Sequence, residues 1–136
     1  METSLRELID RGEGEQVEFK TASNGVHDDT FETVCSFGNH RGGDILLGVN
    51  DHGVVVGLPR GMVDAVVGRV LKRCANRAVF SAAVDVSIAV AEIRYRKIVR
   101  IHVRPLGDKV RYKGVPYVRR GASDYRDPDW KESTVP

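Results

Sequence analysis

The stretch FETVCSFGNHRGGDILLGVND, residues 31–51, constrains the fold more than any other part of this sequence. Apolar residues recur at spacings of three and four across 31–38, which is the pattern of one buried helical face. Gly42 and Gly43 then predict the end of that helix, because glycine enters the left-handed conformation without a Cβ clash. The apolar run at 45–49 is short enough to be a strand covered on both faces, and an Asn-Asp-His-Gly turn follows it. The sequence therefore predicts a helix that leads into a central strand ending on an acidic turn.

Weaker patterns on either side of this unit complete the fold. QVEFK at 16–20 alternates polar and apolar residues and predicts a strand. That alternation sends Val17 and Phe19 to the core. Glu18 and Lys20 share the opposite face of the strand.

The remaining elements are predicted from periodicity and turn residues. They are helices at 4–9 and 61–78, a pair of strands at 83–94 and 97–104, and a last hairpin made of 109–112 and 116–120. Together the elements predict a single α+β domain at 1–123, with a mixed β-sheet and two main helices packed on it. An irregular C-terminal tail is expected at 124–136.

Composition indicates a soluble protein of the cytoplasm. The chain has 136 residues, which is enough for one domain with its own core. No apolar run is long enough to cross a bilayer, and the first fifteen residues are too acidic and polar for a signal peptide. The two cysteines, Cys35 and Cys74, fall on apolar helical faces and predict buried thiols rather than a disulfide or a metal site. We therefore expect a cytoplasmic location and no membrane partner.

Charge is divided unevenly along the chain. Residues 94–126 contain eleven Lys and Arg against two acids, whereas the remainder has ten Lys and Arg against seventeen Asp and Glu. Cations interleaved with aromatic rings are typical of nucleic-acid-binding surfaces, because phosphates attract the cations and bases stack on the rings. The alternative is the solvated face of an edge hairpin, although such a face usually mixes both signs. The predicted nucleic-acid contacts are Arg94, Arg96, Lys97, Lys109, Arg111, Lys113, Tyr117, Arg119 and Arg120.

Four short motifs follow one another along the chain. They are E-x4-E-F-K at Glu13–Lys20, F-x-N-x-x-G-G at Phe37–Gly43, G-V-x-D at Gly48–Asp51 and Y-V-R-x-G at Tyr117–Gly121. In this order they resemble the Schlafen-type, AlbA-like domain, which is found in vertebrate Schlafen proteins and in many prokaryotic proteins described as DNA-binding regulators. The resemblance extends over residues 5–123 and implies the same α+β fold.

The resemblance also implies a catalytic site. In the nuclease members of the family, three acidic residues support metal-dependent cleavage of structured RNA such as tRNA, and by motif they fall on Glu13, Glu18 and Asp51. The spacer between the glutamate pair and the glycine turn is shorter here than in the vertebrate members. This difference affects the assignment of Asp51 more than the assignments of Glu13 and Glu18. The implied cofactor is Mg²⁺ or Mn²⁺, because a divalent cation binds carboxylate oxygens, activates water and neutralises a phosphate. Lys20 shares a face with Glu18 and is the predicted contact for phosphate or developing negative charge.

Each assignment has a plainer alternative. Glu13 and Glu18 could be ordinary surface acids at the edge of a strand, with Lys20 as a solvated partner. Asp51 could be the acid of a hairpin turn. The chain has neither G-x-x-x-x-G-K-[ST] nor G-x-G-x-x-G, so no ATP site is expected.

Three functions follow from these patterns. The leading prediction is a metal-dependent endoribonuclease of Schlafen type that prefers RNA, with DNA as the other candidate partner. The second is a non-catalytic DNA- or RNA-binding module of a transcriptional regulator. The third is a domain that assembles through the exposed edge of its last hairpin. Because vertebrate members pair two such lobes into a clamp around RNA, a single lobe is expected to form a homodimer.

Overall fold

The computed structural model describes residues 4–128. The helices are α1 (Leu5–Arg11), α2 (Asp28–Gly38) and α3 (Val63–Cys74). The strands are β1 (Val17–Lys20), β2 (Gly43–Leu47), β3 (Val86–Ile93), β4 (Arg96–Val103), β5 (Tyr117–Arg120) and β6 (Ser123–Arg126). The fold belongs to the predicted α+β class. No helix within residues 4–128 is long and apolar enough to cross a bilayer.

Four strands form a mixed sheet in the order β1-β2-β4-β3. β1 and β2 run parallel, with Glu18 beside Ile45 and Lys20 beside Leu47, while β4 runs antiparallel to β2 and β3. All five residues of β2 are buried, which confirms the prediction of a strand covered on both faces. β1 and β3 are the outer strands, and the short β5–β6 hairpin forms a separate two-stranded sheet.

The helices cover opposite faces of the four-stranded sheet. On one face, α2 and α3 contribute to the larger apolar cluster, which includes Phe31. On the other face, Leu8 of α1 packs in a smaller cluster with Phe19 of β1. Because successive strand residues alternate between faces, the side chains of Glu18 and Lys20 lie on the side of α2, as their predicted alternation requires.

The two glycines between α2 and β2 have different roles. Gly42 turns the chain at a φ of 75°, and its N–H donates to the Phe37 carbonyl at 2.8 Å. Gly43 is required by close packing, since a Cβ there would lie 2.8 Å from both the Gln16 carbonyl oxygen and the Phe37 ring. The pair therefore redirects the chain and lets β2 approach β1 closely.

The last hairpin differs from the prediction. β5 pairs with β6 and not with 109–112. The latter segment is held by the side chain of Asn39, which accepts from the Val110 N–H at 2.7 Å and donates to the Val110 carbonyl at 2.8 Å. A side chain at the end of α2 thus takes the place of a strand partner. The prediction of an irregular tail from residue 124 is wrong where β6 forms, and residues 129–136 lie outside the described part of the chain.

The third helix, Val63–Cys74, is shorter than the predicted helix at 61–78. Val66, Val70 and Cys74 are buried at a spacing of four residues, whereas Leu71 is 50% exposed. Val63 and Val67 are partly buried and pack against the same apolar cluster.

Candidate nucleic-acid interface and acidic cluster

The three acids predicted as a catalytic site come together at the outer edge of β1, and we refer to Glu13, Glu18 and Asp51 as the acidic cluster. Glu18 lies on β1, and Glu13 precedes it on a turn in which Gly14 pairs with Val17. Asp51 lies in the turn that follows β2. Because β1 and β2 are parallel neighbours, the loops that follow them leave from the same end of the sheet.

The turn that carries Asp51 is fixed by the residue before it. The Asn50 side-chain oxygen accepts from the backbone N–H groups of His52 and Val54, each at 3.0 Å. This local bonding is the usual property of Asn in turns. It holds Asp51 at the end of an open cleft of about 460 Å³ that Glu18 and Lys20 also line.

Glu13 and Glu18 interact directly. Burial raises the pKa of Glu13 to about 7, and a hydrogen bond with Glu18 and the negative charges of Glu18 and Asp51 act in the same direction. The backbone N–H of Phe19 partly opposes the rise by donating to the Glu13 carboxylate. Two carboxyl groups share a hydrogen bond only when one of them holds a proton. Glu13 and Glu18 therefore share a proton where this hydrogen bond forms.

Glu18 is the most enclosed member of the acidic cluster. It is 7% exposed, and its two oxygens lie 3.0 Å from Arg119 Nη2 and 3.5 Å from Lys20 Nζ. Lys20 Nζ also donates to Asp29 at 2.9 Å. Burial alone would lower the pKa of Lys20, but the hydrogen bond to Asp29 and the charge of Glu18 raise it. Lys20 is therefore a cation at neutral pH, beside Glu18 as predicted.

Arg119 is a buried structural residue, and its prediction as a nucleic-acid contact is wrong. Its side chain is 0% exposed. Its guanidinium donates to the Gly14 carbonyl at 2.8 and 3.0 Å and to the Val17 carbonyl at 3.1 Å, and it lies 4.9 Å from the centre of the Phe37 ring. Arg119 thus attaches β5 to the segment that runs from Glu13 to Glu18. Its place in the Y-V-R-x-G motif was the only sequence signal that set it apart from Arg120.

Asp124 completes this network and was not predicted from the sequence. Its carboxylate accepts from Arg119 Nη1 at 2.9 Å and from the hydroxyls of Thr33 and Ser36, each at 2.5 Å. The hydroxyls lie on α2 and the carboxylate on β6, so the network joins β1, α2 and the β5–β6 hairpin. No periodicity around residue 124 could have revealed it.

The carboxylate oxygens of the acidic cluster are of the kind that divalent metal ions bind in proteins. Within residues 4–128, no group of three or more His, Cys, Asp or Glu side chains gathers closely enough to hold an ion alone. Mg²⁺ is commonly held by only one or two carboxylates together with substrate phosphates and water. The adjacent carboxyl groups of Glu13 and Glu18 supply the number of carboxylates that this shared mode of binding would use.

A second charged surface lies at the turn between β3 and β4, and we refer to Arg94, Tyr95, Arg96 and Lys97 as the cationic hairpin end. Arg94 and Tyr95 form the two-residue turn with φ of 48° and 68°. Tyr95 is 96% exposed. Arg96 Nη1 donates to the carbonyls of Val55 and Val56 at 3.3 and 3.5 Å, which ties the hairpin to the loop after β2.

Two open clefts flank the cationic hairpin end. One, of about 450 Å³, is lined by Arg94 and Arg96 together with Arg6. The other, of about 740 Å³, is lined by Tyr95, Arg96 and Lys97 together with Arg60. Arg6 and Arg60 were not among the predicted contacts, because they lie outside the basic segment of the sequence. Three sections of the chain therefore supply cations to one surface.

The other predicted contacts do not line either of these clefts. Lys109 pairs with Asp127, and Lys113 pairs with Asp28 at 2.8 Å. Tyr117 is half-buried and hydrogen-bonded to Glu32, and burial, followed by the charge of Glu32, raises its pKa. Arg111 and Arg120 are exposed, as are the paired Lys109 and Lys113. The basic segment is thus divided between separate parts of the molecule.

The cysteines are unsuited to nucleophilic chemistry. Cys35 and Cys74 are buried free thiols, as predicted. Burial raises the pKa of Cys35 to about 11 and that of Cys74 to about 12. Since the thiolate is the reactive form, both side chains act as packing groups at neutral pH.

Comparison with protein families agrees with the motifs and the fold. The profile of the Schlafen, AlbA_2 family matches residues 13–127, which include the whole acidic cluster, Arg119 and Asp124. The chain belongs to this family. Among curated proteins, none matches the sequence.

Solved structures show the same fold at low sequence identity. The N-terminal domain of a RecG-related protein from Nitrosomonas europaea is 22% identical with a TM-score of 0.58, and the match covers 97% of this chain and 100% of that one. The DIP2311 protein from Corynebacterium diphtheriae is 18% identical with a TM-score of 0.58, over 83% of this chain. This chain spans only 22% of the DIP2311 protein. At these identities the likeness concerns the fold alone.

Proposed function

We propose that this domain binds nucleic acid and that the cationic hairpin end is its main contact. The observation that carries the proposal is the exposure of these charges. Arg94 and Lys97 have no ion pair with any residue in 4–128, and Tyr95, which lies between them in the sequence, is 96% exposed. Cations without protein partners are available to phosphates, and an exposed ring offers a surface on which a base can stack.

Two comparisons support a nucleic-acid partner. Membership of the Schlafen AlbA_2 family is in line with it. The similar domain from Nitrosomonas europaea belongs to a protein whose name relates it to ATP-dependent DNA helicases. RNA remains our preferred partner, with DNA as the alternative outcome of the test below.

Binding is tested by fluorescence anisotropy with a folded tRNA and a DNA duplex over a series of salt concentrations. The variant Arg94→Gln/Lys97→Gln is expected to bind more weakly and to reduce the salt dependence by about one unit of slope for each lost phosphate contact. The matched control is Lys72→Gln/Arg77→Gln, which removes two exposed charges from the region of α3. Equal losses of affinity in both variants would contradict the assignment of the hairpin end.

A second candidate function, cleavage of structured RNA, is favoured by one observation at the acidic cluster. A carboxyl group such as Glu13, whose pKa is about 7, can both hold and release a proton at neutral pH. Glu18 is held in one orientation by Arg119, and Lys20 supplies a cation at the cleft for a phosphate. A bound Mg²⁺ or Mn²⁺, held by Glu13 and Glu18 with Asp51 nearby, would activate water and neutralise phosphate charge.

Cleavage is tested with folded tRNA in Mg²⁺, Mn²⁺ or EDTA. We expect metal-dependent cutting by the wild type and a loss of about 100-fold or more in Glu13→Gln, which keeps the shape of the side chain and removes its titration. Glu15→Gln is the matched control because Glu15 is an exposed neighbour outside the cluster. Binding by all three proteins without cutting by any of them would leave a non-catalytic nucleic-acid-binding module.

A further inference from the structure

β3 is an outer strand whose free edge lacks the usual protection against pairing. It pairs with β4 over eight residues without a bulge, and no strand within residues 4–128 pairs with its other edge. Its sequence, VSIAVAEI, contains no Lys and no Pro, and its single charge, Glu92, has Lys97 opposite it on β4. Proteins usually cover, charge or interrupt such an edge, because its N–H and C=O groups attract another strand.

The register of the hairpin identifies the backbone groups at this edge. β3 and β4 are joined by a two-residue turn, so the pair that closes it, Ile93 and Arg96, is a hydrogen-bonded pair. Hydrogen-bonded and non-hydrogen-bonded pairs alternate along an antiparallel ladder. Four residues therefore direct N–H and C=O groups away from β4, and no hydrogen bond joins these groups to another residue in 4–128: Val86, Ile88, Val90 and Glu92.

We propose that a second copy of this chain pairs with the edge of β3, strand against strand and antiparallel, so that two sheets join into one of eight strands. A two-fold axis through such an edge brings equivalent residues of the same face together. In the register centred on Val90, this residue lies opposite its own copy. The Val90 side chain is 50% exposed in the single chain and becomes covered in the pair.

The positions of the charged residues favour antiparallel pairing of β3 with β3 of a second copy. In the Val90 register, Glu92 of one copy lies opposite Ile88 of the other, so the two acids do not face each other. Asp85, just before β3, comes beside the turn that contains Arg94 of the other copy. Arg104 already holds the Asp85 carboxylate at 2.9 Å, which orients it at this end of the strand. Each favourable contact occurs twice because the interface is symmetric.

The proposal is tested by sedimentation equilibrium of the protein without nucleic acid over a concentration series. The mass of the wild type is expected to rise from 15.0 kDa towards twice that value. Val90→Lys places two ammonium groups together at the centre of the interface and should remain at the monomer mass. Leu71→Lys is the matched control, because Leu71 is also 50% exposed but lies on α3. Circular dichroism establishes that both variants are folded.

Amide hydrogen exchange measured by NMR gives a second readout. The outward N–H groups of β3 should exchange more slowly as the wild type is concentrated, and Val90→Lys should abolish that change. A wild type that stays at monomer mass throughout would overturn the proposal. Persistence of the dimer in Val90→Lys, or its loss in Leu71→Lys, would overturn it as well. Because no nucleic acid is present, failure of the proposed binding function would leave these outcomes unchanged.

Discussion

The acidic cluster and the cationic hairpin end place charge in opposite environments. Around Glu18, acids and cations are buried together and bound to one another, and the Arg119 side chain is 0% exposed. At the hairpin end, Arg94 and Lys97 are exposed and have no ion pair within residues 4–128. The same residue type therefore stabilises the fold in one region and is available to a ligand in the other. Environment, rather than composition, separates the two roles.

The sharpest test of this comparison is the neighbouring pair Arg119 and Arg120. Arg119→Met leaves Glu18 and Asp124 enclosed without their main cation, and we expect it to lower the free energy of unfolding by about 3–5 kcal/mol. Arg120→Met removes an exposed charge and should change it by no more than about 0.5 kcal/mol. Denaturant unfolding followed by circular dichroism measures both.

A result in which the two variants lose equal stability would break the distinction between buried and exposed arginines on β5. A further check is amide hydrogen exchange in the β5–β6 hairpin. Arg119 attaches this hairpin to the segment around β1 through the Gly14 and Val17 carbonyls. In Arg119→Met, amides of this hairpin should lose protection from exchange before those of β2.

Local signals in the sequence predicted their elements correctly. The helical spacing at 31–38, the apolar run of β2 and the alternation of β1 each depend on neighbouring residues, and the structure has all three elements. The motif resemblance placed Glu13, Glu18 and Asp51 in one site, and the structure brings them together. Short-range patterns specify elements, and the motifs identified which elements meet.

The errors arose where the decisive partner is distant in the sequence. Asp124 binds a hydroxyl 91 residues away, and Arg119 binds a carbonyl 102 residues away. Neither separation leaves a periodic trace in the sequence. The segment 109–112 satisfied the pattern of a strand, but Asn39 bonds to its backbone from the end of α2. The tertiary contact from Asn39 therefore outweighed the local strand propensity of 109–112, and β5 pairs with β6 instead.

The second prediction concerns stability as a function of pH. The acidic cluster should make the free energy of unfolding depend on pH, whereas the cationic hairpin end should not. The pKa of Glu13 is raised from its ordinary value of 4.5 to about 7, so the folded protein holds more protons than the unfolded chain between these values. The stability that Glu13 contributes is thus present below pH 4.5 and is lost as the pH rises through about 7. Glu13→Gln remains neutral and should be more stable than the wild type at pH 8, by about 1 kcal/mol after solvent screening.

Urea unfolding of wild type and Glu13→Gln from pH 4.5 to pH 8 measures this difference. Glu15→Gln separates the effect of removing one negative charge from the effect of the position of Glu13. If the stability gap between wild type and Glu13→Gln does not widen with rising pH, the burial of Glu13 beside Glu18 that raises its pKa is absent in solution.

The smallest expected effect is on stability at the cationic hairpin end. Arg94→Gln/Lys97→Gln removes two exposed charges that have no ion pair within residues 4–128, so the free energy of unfolding should change by no more than about 0.5 kcal/mol. The same double variant is expected to weaken nucleic-acid binding, and the contrast between the two measurements is the informative result. A loss of stability as large as that of Arg119→Met would mean that these cations hold the hairpin to the rest of the sheet. Reduced binding would then report damage to the fold, and the hairpin end would no longer differ in kind from the network around Glu18.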